Sequence, residues 1–488
     1  MTTEIPLPQG WEKSTLGEIA TYINGRAFKP TEWSKAGTPI IRIQNLNNPN
    51  AEYNYYVGNI EKKYHIENGD LLFAWSASLG AYIWKGENAF LNQHIFKVLP
   101  KENVDKTFVY YLLNNITNEL YTKAHGSGMV HVTKGKFEAT LVNIPPLETQ
   151  QTIVDKIESL FAEIDAGIAC LKTAGQQLKQ YRQALLKNAF NGELTKQWRL
   201  EHADSLPSEK ELLAQIQTAR QQHHDRQLAD WQTAVKQWEQ TGTQGKKPSK
   251  PKAPTQAVKF EGNFSDLPNG WGVIKLGNFI QDIQAGKSFK CEERPPADNE
   301  IGVAKVSAVT WGEYDENETK TCFNENMINP DFFIKTGDFL FSRANTIELV
   351  GACVIVKKTN KNIMLSDKTL RIDFTEILKE YVLYYLRSSD GRKQIMDKSS
   401  GNQDSMRNIG QERIKDINIP LCSLAEQTQI VAILESKLTA CDQLAAELAT
   451  QLKQAELLKQ AVLKAAFSGR LSDDFSDGLS GSLFGNKS

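Results

Sequence analysis

Two stretches of about forty residues, Thr149 to Phe190 and a run centred on Ile430 to Val462, place an apolar residue at every third or fourth position and contain no proline. In the first, Ile153, Ile157, Leu160, Ile164, Ile168, Leu171, Leu178, Tyr181, Leu185 and Ala189 form the seam; in the second, Ile430, Leu434, Leu438, Cys441, Leu444, Leu448, Leu452, Leu458 and Val462 do. A helix of that length rises about 60 Å, more than a domain of roughly 145 residues is wide. It must project, and a projecting apolar seam in water demands a partner. The nearest partner is the other copy. Head-to-tail pairing relates the copies by a pseudo-twofold axis, parallel pairing puts both globular parts at one end, and two unrelated core helices are a third arrangement. Antiparallel pairing is the expectation. Gly192 and Gly469 stand where a helix end takes a left-handed residue.

The helices are the tail of a longer repeat. LPQGW (Leu7 to Trp11) returns as LPNGW (Leu267 to Trp271), INGRAF as QAGKSF, and ENGDLLF (Glu67 to Phe73) as KTGDFLF (Lys335 to Phe341). LNQHIFKV (Leu91 to Val98) returns as LSDKTLRI (Leu365 to Ile372), Tyr110-Tyr111-Leu112 as Tyr384-Tyr385-Leu386, and AFNGEL as AFSGRL, all in the same order. Between these anchors the copies diverge. A shared scaffold with different loops implies two related domains with different ligands.

Each repeat opens with about 145 residues mixing short β-like runs (Thr38 to Ile43, Asp70 to Trp75, Ile95 to Leu99) with one clear helix near Lys106 to Tyr121. The expected class is α+β: two tandem globular domains and two long antiparallel coiled-coil helices. The expected boundaries are 1–148 for the first globular domain, 149–194 for its helix, 195–260 for a unique insert, 261–423 for the second domain, 424–472 for its helix and 473–488 for a flexible tail. Within the insert, Ser208 with Glu211 makes a capping box opening a polar helix through about Gln240. Thr241 to Thr255 reads as a Lys/Pro/Gly tether.

The GKS of Gly286-Lys287-Ser288 resembles the end of a phosphate-binding loop, but Gln281 stands where that loop needs its first glycine, and the other copy reads GRA. No GxSxG, HExxH or dinucleotide-binding turn is present, and NIPP at Asn143 to Pro146 has Ile144 and Leu147 where an amino-methyltransferase has proline and an aromatic. The six cysteines are scattered without a CxxC pair, which favours buried reduced thiols. We therefore expect no catalytic residue, no metal and no cofactor. No apolar run approaches the roughly 20 residues of a membrane span, and the expected location is cytoplasmic. With a net charge of −1 across 488 residues, any nucleic-acid contact must be local or shared with a partner.

What remains is recognition. Lys123 to Lys136 (KAHGSGMVHVTKGK) carries no acid and offers Lys123, Ser127, His131, Lys134 and Lys136; its counterpart, Arg392 to Arg413, offers Lys398, Asn402, Gln403 and Arg407. Such loops supply phosphate donors together with side chains that read base edges. Arg42 and Asn45, then Ser76 and Ser78, then Arg343 and Asn345, complete the candidate DNA-binding set. His94 and Trp75 are expected to serve the core.

With both repeats in view, the chain resembles the specificity subunit of type I restriction–modification systems. LPxGW, GDLLFAWSASLG, LNQHIFKV, GSGMVHVTK, PPLETQQTIV, LAEQTQIV and AFxGxL carry the resemblance across nearly the whole chain. It implies two target-recognition domains that each read half of a bipartite double-stranded DNA site. It also implies helices that set the half-site spacing and dock two methyltransferase (modification) subunits, with restriction subunits joining the complex and no catalysis in the chain itself. Thr149 departs from the acid-Gln pair that precedes the other helix as Glu426-Gln427, which weakens any docking contact through this acid. A coiled-coil adaptor without DNA specificity is the competing class.

Overall fold

The computed structural model describes residues 7–48, 50–76, 78–123, 133–242, 247–251, 253, 257–261, 266–288, 290–297, 299–323, 328–403 and 406–471. Two compact units emerge, one from Met1–Gly175 with Ala446–Ser488 and one from Gln176–Ala445. The long helices span Leu147–Phe190 and Leu424–Phe467, 44 residues each, and each contributes to both units.

The first unit holds an antiparallel sheet in the order Ala20–Asn24, Ile95–Pro100, Leu71–Ala74, Gly80–Ile83. A second sheet runs Asn54–Tyr56, Thr38–Ile41, Ala89–Leu91, His65–Ile66, its middle pair parallel. The second unit repeats both. Ile280–Ala285, Thr369–Phe374, Phe339–Ser342 and Cys353–Ile355 form the antiparallel sheet. Thr319–Cys322, Ile301–Ala304 and Ile363–Met364 rebuild the other with the same parallel pair.

One turn explains why the GD dipeptide recurs. Gly69 and Gly337 both hold φ of +89°, open to glycine but strained for other residues. The following Asp70 and Asp338 accept the N–H of Glu67 at 2.7 Å and of Lys335 at 2.8 Å, closing the turn. Each carboxylate also meets a cation from the central strand, Lys97 at 2.7 Å and Arg371 at 3.1 Å. Lys106 and Lys379 then donate to the glycine carbonyls at 2.9 and 2.7 Å, tying the turn to the following helix.

A second repeated pin joins each domain to its long helix. The Gln150 amide accepts from Asp105 N–H at 2.8 Å and donates to Pro145 O at 2.9 Å; the Gln427 amide accepts from Leu378 N–H at 3.0 Å and donates to Cys422 O at 3.0 Å. Both glutamines are buried. An unpaired buried amide is costly, so these bonds fix where each helix leaves its domain.

In both units the helices run antiparallel. Ile153, Ile157, Leu160 and Ile164 share the first core with Ala455, Val462, Ala466 and Phe467, whereas Leu185, Ala189 and Phe190 share the second with Ile430 and Leu434. Early residues of one helix meet late residues of the other. Ion pairs mark the same sense: Asp165 with Lys459 at 2.5 Å, and Asp442 with Arg182. Two seam expectations need correction. Tyr181 is 48% exposed and Leu444 50%, while Leu186 and Leu463, off the expected seam, are buried. Near its ends each helix is covered on two sides, by its partner and by a globular domain, so the apolar face is wider there than a coiled-coil seam.

The helix ends close as glycine requires. Gly192 and Gly469 have φ of +81° and +71°, and a Cβ there would lie 2.3 Å from Pro268 and 2.2 Å from Pro8 respectively. The proline of each LPxGW motif thus seats on a helix cap. Beyond Gly192 the insert begins with a buried clamp. Glu426, 2% exposed, accepts from Thr195 Oγ1 at 2.8 Å, from Trp271 Nε1 at 2.9 Å, and from the Arg199 guanidinium. The acid that the family resemblance offered for docking therefore faces inward, and its counterpart Thr149 is half-buried without such a network.

The insert helix, Glu209–Gln240, starts on the expected Ser208 cap. Lys247 and Lys250 lie 5.6 and 5.8 Å from the rings of Trp238 and Trp231, and Trp231 Nε1 donates to Pro248 O at 3.0 Å. The described part of the Lys/Pro segment is thus laid back along the helix rather than free as a tether. Among the described residues no helix is long and apolar enough to cross a membrane.

Replacing Glu426 by Ala leaves Arg199, 15% exposed, without its carboxylate. The expected loss is about 3 kcal/mol from the second unit, against under about 0.5 kcal/mol for Thr149→Ala, read by amide exchange of core residues in each unit.

Candidate nucleic-acid interface

Three segments converge in each unit at the end of the main sheet. The INGRAF and QAGKSF turns bring Gly25 and Gly286 so close to the next loop that a Cβ would stand 2.1 Å from Asn92 O and 1.9 Å from Leu365 O. That approach, not a nucleotide, is why the glycine of GKS is there: a strand precedes it and Lys287 bridges Ser366, just as Arg26 bridges Asn92. The residues after GDLLFA and GDFLFS supply the third segment, with Trp75 N–H donating to His94 O at 3.2 Å and Arg343 N–H to Lys368 O at 2.9 Å. Arg26, Trp75 and His94 in the first unit thus occupy the places of Lys287, Arg343 and Lys368 in the second.

The two assemblies differ in chemistry. In the first, Arg26 is held by Glu32 at 2.5 Å and lies 4.7 Å from the Phe28 ring and 4.9 Å from the Tyr56 ring. Trp75 donates to Asn24 Oδ1 at 3.3 Å and lies 5.6 Å from the His94 ring, while Gln93 reaches His94 Nε2 at 3.2 Å. The result is aromatic and amide-rich. In the second, Lys287, Lys305, Lys320 and Lys368 line a cavity of about 460 Å³ with Glu293, Asp367 and three serines. Lys320 pairs with Glu293, and Lys368 with Asp367 at 3.0 Å. Among the described residues Lys287 and Lys305 have no carboxylate at ion-pair distance, and the Arg343 guanidinium has no hydrogen-bonding partner. This surface suits an anion.

The residues singled out from sequence scatter over both units. Arg42 donates to Asn54 Oδ1 at 3.1 Å and lies 5.2 Å from the Trp33 ring. Asn45 is buried, its amide donating to Ala51 O and Glu52 O while accepting Arg42 N–H, so it holds its own loop together. Ser76 and Ser78 are half-buried beside Trp75. Lys134 and Lys136 stand exposed on the short helix Lys134–Glu138, which Phe137 anchors to the core. Ser127 and His131 lie outside the described residues; Lys123 ends the helix Lys106–Lys123, its side chain also outside them.

The expected polar loop from Arg392 to Arg413 is instead ordered secondary structure. Ser389–Lys398 is helical, and Ser400–Gln403 pairs with Met406–Asn408, which pairs in turn with Ala344–Asn345. This places Asn345 opposite Arg407. Arg407 spends its guanidinium on Ser399 and on the carbonyls of Gly401 and Met396, and Lys398 pairs with Asp416 at 2.7 Å. Hydrogen bonds from Lys275 and then Lys398 hold the Asp416 carboxyl below its ordinary range. Asn345 is buried, bonded to Ser342 Oγ at 3.3 Å and Thr346 N–H at 2.9 Å. The side chains of Asn402 and Gln403 lie outside the described residues.

Sequence reasoning passed over Lys287, Lys305 and Lys368, and assigned His94 to the core; the available signal was that these positions, Lys305 apart, align between repeats. The thiols fit the expectation better. Cys322, Cys353, Cys422 and Cys441 are buried, and burial pushes Cys353 up to about 12; Cys170 is exposed and Cys291 half-buried.

Duplicated recognition-type domains on a shared pair of helices define a class of two-headed, helix-linked proteins. The sequence model of the type I restriction modification DNA specificity domain matches residues 8–169 and 268–454, and the chain belongs to that family. It is 28% identical to the specificity subunit of the Escherichia coli type I restriction enzyme EcoEI, covering 94% of this chain and 83% of the relative. To the EcoBI specificity subunit of Escherichia coli it is 24% identical, covering 96% and 87%. The fold matches the HsdS subunit from Thermoanaerobacter tengcongensis with a TM-score of 0.51 at 19% identity, covering 96% of this chain and 99% of that one. A chain from a type I restriction–modification assembly matches with a TM-score of 0.61 at 19% identity, covering 96% and 100%.

Exchanging Lys287 and Lys305 for Ala together is expected to weaken duplex binding by the assembled complex evenly across sequences. The slope of log affinity against log salt should flatten by about two, measured by salt titration.

Proposed function

We propose that this chain is the DNA-specificity subunit of a type I restriction–modification complex, with residues 1–148 and 261–423 as target-recognition domains that each read one half of a bipartite duplex site. The carrying observation is one scaffold built twice with different chemistry at equivalent positions: Trp75, Gln93 and His94 in one copy, Arg343, Asp367 and Lys368 in the other. Two unlike readers imply two unlike half-sites. The antiparallel helices act as the spacer between them and as the platform for two modification subunits, to which restriction subunits add. Methyl transfer and cleavage belong to those partners. The names of the EcoBI and EcoEI relatives support this reading.

Because the chain is nearly neutral, with 57 basic against 58 acidic residues, its hold on DNA depends on charges supplied by partners. The candidate base readers remain Arg42, Asn45, Ser76, Ser78, Lys123, Ser127, His131, Lys134, Lys136, Arg343, Asn345, Lys398, Asn402, Gln403 and Arg407. To them we add Trp75, Gln93, His94, Lys287, Lys305 and Lys368. Asn45, Asn345 and Arg407, already committed to their own backbone, act on the shape of the surface rather than on bases.

Inserting one heptad into each long helix adds about 10 Å and keeps the seam in register. Mapping methylated bases in cells that carry the complex should then show the same two half-sequences separated by about three more base pairs, at roughly 3.4 Å each. An unchanged gap removes the spacer role. Exchanging residues 1–145 for another such domain should rewrite one half-sequence only; a complex that never shows sequence preference returns the adaptor reading.

A further inference from the structure

A groove recurs in both units where the helix that follows the main sheet meets the two long helices. In the first unit, a cavity of about 500 Å³ is lined by Tyr110, Phe161, Lys459, Gln460 and Leu463, with Leu79, Tyr82 and Tyr111 from the domain. In the second, one of about 310 Å³ is lined by Tyr384, Leu438, Arg182, Gln183 and Leu186, with Trp311, Arg387 and Arg392 from the domain. The helix-side walls correspond residue for residue at the spacing of the repeat: Phe161 with Leu438, Arg182 with Lys459, Gln183 with Gln460, Leu186 with Leu463. The ion pairs flanking each groove, Asp165 with Lys459 and Asp442 with Arg182, correspond too. Only the domain-side walls differ.

Folding alone accounts for part of this match. Leu186 and Leu463 are buried in the cores. Gln183 and Gln460 are exposed and pack nothing that folding needs, yet they are identical in two copies whose other surfaces have diverged. We infer that the grooves are twin sockets, each taking an apolar side chain next to a carboxylate from one of two copies of the same partner, the modification subunit. This rests on the functional reading above.

Charge and shape point to that occupant. Volumes at the low end of ligand pockets suit one or two side chains, and an apolar floor under an aromatic wall is how protein interfaces anchor a large side chain. Each rim carries a cation, Lys459 or Arg182. In the second unit Arg387 and Arg392 add two more, engaged only with carbonyls, the Met396 sulfur and the Trp311 ring, and Arg387 Nε is buried without a partner. A carboxylate beside the inserted apolar group meets those donors.

The test uses the full chain and purified modification subunit of its own system, with Gln183→Trp, Gln460→Trp and both together filling the sockets. Each single variant should bind one subunit normally and the other at least about tenfold more weakly, so that native mass spectrometry shows a one-to-one complex where the unaltered chain gives two-to-one; the double variant should lose both. A double variant that keeps its helix content and still binds two subunits with unaltered affinity overturns the inference while leaving the functional reading standing. Should the unaltered chain bind none, the functional reading falls and the sockets with it. In case the Trp variants misfold, amide exchange on the unaltered complex decides: protection is expected at residues 106–117 and 379–387, and its absence there overturns the proposal.

Discussion

Burial of one long helix against the other is the constraint on which everything else here rests. Neither globular domain closes its core with residues of its own stretch alone. The first borrows Ala455, Val462 and Phe467 from the end of the chain, and Phe467 meets Phe108 with ring centroids 5.2 Å apart. The second borrows Leu185, Ala189 and Phe190 from the end of the first repeat, and Phe190 meets Tyr381 and Tyr385, each at 5.1 Å. Every repeat donates the far end of its helix to the other. Antiparallel order follows from that exchange, because only a reversed partner brings its C-terminal end to the domain where its fellow begins.

Much of this architecture was legible in the residues, for reasons that can be named. A period between three and four sustained across forty positions has few structural solutions, and Gly192 and Gly469 marked where it stops. The GD turns, the Gln150 and Gln427 pins and the glycines of GRA and GKS recur because each answers a backbone demand that no other residue meets as cheaply. The candidate interface was far less legible. Polarity alone suggested a loop over Arg392 to Arg413, but Arg407 and Ser399 exchange hydrogen bonds that stabilise a hairpin, and such cross-strand satisfaction leaves no periodic trace. Asn45 reads like a base reader and is instead a buried brace; the difference lies in tertiary contacts with Ala51 and Glu52. Conversely, Lys287 was set aside with the phosphate loop that it does not form, although its alignment with Arg26 carried the positional information.

The copies are matched in frame and unmatched in detail. Glu426 gathers Arg199, Thr195 and Trp271 into a buried network, and the insert that supplies two of those groups occurs once. A buried pair of this kind is expensive to desolvate and specifies geometry more than it adds stability. Here it fixes how the insert leaves the first helix and passes to the second domain. The first unit, with Thr149 in that place, joins domain to helix through Gln150 and apolar contact alone. Similar scaffolds can therefore hold their parts with different stringency while presenting different surfaces.

The borrowed helix ends also carry a cost in time. As the polypeptide leaves the ribosome, residues up to Gly175 are complete long before their missing wall at Ala446 and beyond exists. At roughly 5 to 20 residues per second, the intervening stretch delays closure by something between a quarter of a minute and a minute. Throughout that interval Ile157 and Leu160 have no second helix to cover them. A nascent chain of this design is an open clasp in the cytosolic crowd, and chaperone attention to its first half is the natural corollary of letting the last residues finish the first domain.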